Sequence, residues 1–97
     1  MSLFMVVRRY GPPFDPGKAL EEQRGWEEHR VFMNRSEAAG RTRLAGPLEG
    51  GGDVLLIVRA ESEAEVHRHL ADDPWTASGI LATVRVSRWQ LRVGRVE

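Results

Sequence analysis

No cysteine occurs among the 97 residues. Disulfides, thiolate zinc sites and cysteine nucleophiles are thereby excluded. Small secreted domains commonly depend on disulfides, so a chain of this kind fits the cytoplasm. Long apolar runs are missing too, and nothing approaches the roughly 18 to 20 apolar residues of a membrane span. The short run from Met1 to Val7 stops at Arg8-Arg9, so no signal peptide is expected. An excess of one charge is also lacking, because 14 basic residues face 14 acidic ones. Nucleic acids and anionic membranes usually select a basic face, so neither is expected as a partner. Arg85, Arg88, Arg92 and Arg95 crowd the C-terminal end, but in an alternating strand they read as a solvated face.

What remains is an ordinary globular mixture, 41% apolar and 29% charged, which argues against disorder. One domain spanning 1–97 is the natural reading, with a modest core. Leu3-Phe4-Met5-Val6-Val7 reads as a strand ending in charge. Gly11 to Gly17 holds three prolines and two glycines and reads as a rigid loop. Helical spacing then runs from about Lys18 to Ala39, with Gly25 a weak point that moves the start toward Trp26. Trp26, His29, Met33 and Ser36 share one stripe of that helix. Gly40 is its stop. Thr42 to Ala45 is a brief strand leading to Gly46-Pro47, and Gly50-Gly51-Gly52-Asp53 is a turn. Val54 to Val58 is an apolar strand. Ser62, with Glu65 three residues on, caps a second helix carrying Val66 and Leu70. Asp73-Pro74 opens a short helical turn that Gly79 closes. A long strand is predicted from Ile80 to Val93.

The order strand, helix, strand, strand, helix, strand is the ferredoxin-like βαββαβ arrangement of an α+β fold. It places two helices on one face of a four-stranded antiparallel sheet. The first and third strands do not alternate apolar with polar, so both sheet faces ask for cover. The helices cover one. A second copy packing sheet to sheet about a two-fold axis is the expected cover for the other.

Few residues carry chemistry. His29 lies on the inward stripe, where a histidine is either a general acid/base or a satisfied boundary residue. Asp73 is fully accounted for as an N-cap, with Pro74 at the first helical position. His67 and His69 diverge by about 200 degrees on their helix, unlike the four-residue spacing of helical zinc ligands. No metal is expected. The glycine triplet lacks the lysine and following helix of a phosphate loop. Asn34-Arg35-Ser36 matches a glycosylation sequon but falls mid-helix. Ser36 and Thr83 are the hydroxyls on the His29 side, at no triad spacing.

Several features nonetheless line up in order. His29 lies on the first helix, and Gly46-Pro47 follows seventeen residues later. Then come the apolar strand, Ser62 opening the second helix, Asp73-Pro74-Trp75, Ala77-x-Gly79, and a last strand with Val84, Val86 and Trp89. From Leu3 to about Leu91 the chain resembles the YCII-like family. That resemblance implies a dimeric α+β barrel, a homodimer joined through its sheet faces. It also implies a His-Asp pair in a pocket, falling here on His29 and Asp73, and needing no cofactor. Among its relatives are a dehydrochlorinase acting on a chlorinated hydroxyhydroquinone and, more distantly, muconolactone isomerases, while most members have no established activity. The expectation is therefore a lyase or isomerase acting on a small oxygenated cyclic or aromatic compound. His29 would be general base and acid, and Asp73 would orient it, with Pro74 fixing the aspartate's approach. Trp26, Met33, Gly46, Pro47, Pro74 and Trp75 are expected to line the pocket. The alternative is a non-catalytic module of the same fold that binds a small ligand or another protein. The short glycine-rich loop after Pro47, Trp75 in place of Phe or Tyr, and the proline-rich loop from Gly11 to Gly17 depart from the family pattern.

Overall fold

The computed structural model describes residues 1–96. Strands β1 (Ser2–Tyr10), β2 (Thr42–Pro47), β3 (Asp53–Ala60) and β4 (Leu81–Trp89) form one antiparallel sheet in the order β2-β3-β1-β4. Helices α1 (Trp26–Ala38) and α2 (Glu63–Ala71) pack on one face, and the short α3 (Pro74–Ser78) leads into β4. This is the ferredoxin-like α+β arrangement expected from the element order.

β1 is longer than its apolar run. Phe4, Val6 and Arg8 all point to the helix side and are buried, while Arg9 is exposed. Phe4, Val6, Leu56, Val58 and Ala60 of the sheet meet Val66 and Leu70 of α2 in the main core. Each of these side chains other than Ala60, fully buried, contributes about 1.5 to 3 kcal/mol. A second cluster of Trp75, Ile80 and Leu81 packs with Tyr10, Phe14, Leu20 and Trp26 at the other end. The helix foreseen from Lys18 to Ala39 is split. Leu20–Glu22 forms a single 3₁₀ turn, and Gly25, at φ 78, steps out of helical geometry before α1 begins. The left-handed conformation favours glycine, as at few other residues.

One further boundary differs from expectation. β4 stops at Trp89 rather than Val93, because Trp89 pairs with Leu3 near the start of β1 and the ladder has no further partner strand. The β1–β4 register shifts between Val7 and Arg8: Val7 faces Arg85 and Arg8 faces Thr83, leaving Val84 as the extra residue. Such a bulge re-aims the neighbouring side chains. On the sheet face away from the helices, β1 and β3 present Met5 opposite Ile57 and Val7 opposite Leu55. Exposed Leu44 and Trp89 flank this face. No helix among the described residues is long and apolar enough to cross a membrane.

The proline-rich loop is pinned where the second cluster begins. The Gly11 amide donates to the Ile80 carbonyl at 2.9 Å. A Cβ on Gly11 would lie 2.1 Å from the Gly79 carbonyl oxygen, a backbone atom that cannot swing aside. Gly51, by contrast, has open space around it. Gly11→Ala is expected to cost about 1 to 3 kcal/mol in urea denaturation, as overpacking does. Gly51→Ala is the control and should leave the midpoint in place.

Candidate active site

Asp73 is the N-cap of α3, and its buried carboxylate meets three donors. Oδ1 accepts from the Trp75 amide at 2.9 Å, which is the cap, and Pro74 at the first helical position has no amide to satisfy. His29 Nδ1 lies 2.9 Å from Oδ1 and 3.0 Å from Oδ2. Arg8 Nη1 donates to Oδ2 at 2.9 Å. The cap oxygen therefore also faces the histidine, and the second oxygen takes the arginine. A carboxylate with two lone pairs per oxygen has room for this whole set.

The partners are themselves held. Arg8 is fully buried, and its Nη2 donates to Thr76 Oγ1 and reaches the Leu81 carbonyl at 3.5 Å. Thr76 Oγ1 in turn donates to the Leu70 carbonyl at 2.7 Å. The His29 ring stacks flat on the Trp75 indole, with centroids 4.0 Å apart and planes within 6°. The indole N–H donates to the Arg24 carbonyl at 2.8 Å, so the stacking surface is fixed.

These contacts decide the tautomer. An ionised carboxylate only accepts, so Nδ1 of His29 carries the hydrogen and Nε2 keeps its lone pair when the ring is neutral. Nε2 has no protein partner among the described residues. The ring lines a cleft of about 250 Å³ between α1 and the sheet. Of the residues expected there, the cleft brings together Trp26, Met33, Gly46, Pro47 and Trp75, and Pro74 lies outside it. Arg8, Tyr10, Leu20 and Val54 line it as well and were not foreseen. For Arg8 a signal existed. It shares the parity of Phe4 and Val6, so a strand extended by one residue turns it inward. Ser36 lies elsewhere: its Oγ sits 2.7 Å from both Thr42 Oγ1 and His69 Nε2, tying α1 to β2 and α2.

Burial pushes the Asp73 carboxyl up. The hydrogen bond and charge of His29, the Trp75 amide and Arg8 outweigh it and hold the group below the usual carboxylate range. Burial pulls Arg8 down, and Asp73 opposes this. Because the folded value of Asp73 lies below the unfolded value of about 3.9, its contribution to stability is fully present above that pH. It is lost as pH falls through the folded value. Wild-type stability, followed by urea denaturation, should drop below about pH 4. Asp73→Asn should cost about 3 to 5 kcal/mol at neutral pH, because Arg8 stays buried without a counter-charge. It should also flatten the acid decline.

No curated protein sequence matches the chain. Among solved structures it is similar to 5-chloro-2-hydroxyhydroquinone dehydrochlorinase (TftG) from Burkholderia phenoliruptrix AC1100, in complex with 2,5-dihydroxybenzoquinone. The two are 28% identical over 91% of this chain and 93% of that one, with a TM-score of 0.65. The family model of the YCII-related domain matches residues 3–90, nearly the whole of the described fold, and the chain therefore belongs to the YCII-related domain family.

Proposed function

We propose that this chain is a cofactor-independent acid/base enzyme of the lyase or isomerase type, acting on a small oxygenated cyclic or aromatic compound. The carrying observation is His29, with Nδ1 held by a buried Asp73 and its ring in the wall of the cleft. Nε2 takes a proton from a carbon next to a carbonyl or from a phenolic hydroxyl. The charge that then develops on the ring lies beside the Asp73 carboxylate and over the Trp75 face, and both stabilise it. The proton returns to another atom of the ligand in isomerisation. In elimination the bonding pair moves into the ligand and a leaving group departs with its own pair.

The cleft limits the ligand. Its volume of about 250 Å³ falls below the roughly 300 to 1,000 Å³ of drug-sized sites, which suits a single ring. Trp26, Tyr10 and Trp75 offer flat apolar walls to such a ring. The dehydrochlorinase is described with a substrate and a ligand of this size and polarity, which supports the same class here.

A second reading has its own support. Arg8, Asp73 and Thr76 tie β1 to α3, so the pair could serve only to hold a small-ligand-binding module together. The apolar outer face of Met5, Val7, Leu55 and Ile57 supports a homodimer joined sheet to sheet under either reading. The absence of cysteine supports a cytoplasmic setting.

His29→Ala separates the readings. Asp73 keeps Arg8 and the Trp75 amide, so the variant is expected to fold. Under catalysis its kcat/KM on 5-chloro-2-hydroxyhydroquinone, followed by chloride release, falls about 10²- to 10⁴-fold. A folded His29→Ala with unchanged turnover would sink the catalytic reading. Sedimentation tests the dimer: the protein should run at twice its 10.9 kDa, and Leu55→Glu should run as a monomer. A monomeric wild type at tens of micromolar counts against it.

A further inference from the structure

A buried negative charge in this site has two cations within reach, and only one of them is needed to balance it. Asp73 can be neutralised by the guanidinium of Arg8 or by a protonated His29. His29 lies against both carboxylate oxygens, and Arg8 against one, but the charge of Arg8 is the permanent one. Arg8 is charged at every working pH, and its Nη1 already donates to Oδ2 at 2.9 Å. A fully buried arginine is uncommon, and this one leaves its buried Nε without a partner. The bulge at Val84 adjoins its pairing partner Thr83, where the strand is re-aimed. Stability alone gives little reason to keep such an ion pair in a core.

We propose that Arg8 is a positioning residue: it supplies the positive charge that balances Asp73, so that His29 is left uncharged with Nε2 available as the base. Without Arg8, the buried carboxylate draws a second proton onto His29 and the base is consumed before substrate arrives. The other groups around His29 do not substitute. Arg30, next on α1, is exposed and paired with Glu27. Tyr10, on β1, is neutral, and burial raises its hydroxyl further. His69 on α2 is bonded to Ser36 and lowered by its own burial. From β2 and β3 the cleft receives Ala45, Gly46, Pro47, Val54 and Leu56, none of which titrates.

The role of His29 as base rests on the proposed function, but the charge balance is read without turnover. Ring ¹⁵N shifts of His29 would be recorded in the ligand-free protein at about pH 7.5, where an ordinary imidazole is neutral. Wild type and Arg8→Lys should show a neutral ring with Nδ1 protonated. Arg8→Met should show the imidazolium pattern. In turnover, the acid limb of kcat/KM should move to higher pH in Arg8→Met, with about a tenfold loss per unit of displacement at neutral pH and recovery as pH rises. Arg8→Lys should restore most of the rate. A folded Arg8→Met with a neutral His29, or one whose rate is reduced equally at every pH, overturns the proposal. Should Arg8→Met fail to fold, Arg8→Lys decides: a charged His29 in that variant overturns it, and a neutral one supports it. Wild type that releases no chloride from 5-chloro-2-hydroxyhydroquinone but shows the charged ring in Arg8→Met would count against that substrate and leave the charge balance standing.

Discussion

A carboxylate taken wholly out of water must be met by donors on every side, and in this chain that constraint falls on Asp73. Its donors come from β1, from α1 and from the turn it caps. One side chain thereby joins the edge of the main core to the second cluster around Trp75 and Leu81. Each partner is then fixed by a further contact: Arg8 by Thr76, His29 by the Trp75 stack, Trp75 by the Arg24 carbonyl. Removing the carboxylate takes one bond from each of Arg8, His29 and the Trp75 amide at once, and leaves a buried arginine without a counter-charge.

The same arrangement makes a site out of a structural necessity. Because Asp73 accepts from Nδ1, the other ring nitrogen of His29 is the one left without a protein partner. Because Trp75 holds the ring flat, that nitrogen keeps one direction. The cleft beside it is apolar on most sides, and an imidazolium formed there is stabilised mainly by Asp73 and the indole face rather than by water. In the proposed reaction, stability and chemistry both depend on Asp73, whereas loss of His29 leaves the carboxylate partnered by Arg8 and the Trp75 amide.

Element order was legible because each element carries its own local signal. Ser62 caps α2 through the Glu65 amide, Asp73-Pro74 opens α3, and Gly79 closes it. The approach of His29 to Asp73 was not legible from spacing, since 44 residues separate them and each has an adequate local explanation. It was the resemblance to a family that paired them. Arg8 escaped for a different reason. An arginine after an apolar run reads as the strand's end, and its burial depends on a carboxylate 65 positions away. Strand length was likewise decided by partners: β4 stops where β1 begins, which no pattern within Ile80 to Val93 records. Of the residues expected to line the cleft, Pro74 alone lies outside it.

The most direct test of His29 as a base is hydrogen exchange at carbon, which needs no leaving group and no finished reaction. 2,5-Dihydroxybenzoquinone, the ligand of the dehydrochlorinase, carries ring C–H groups next to oxygenated carbons. Incubated with the protein in D₂O and followed by proton NMR, it should lose its ring C–H signal faster than in buffer. Replacing His29 by alanine should return the rate to that of buffer. Exchange no faster with saturating wild-type protein than without it would contradict the account.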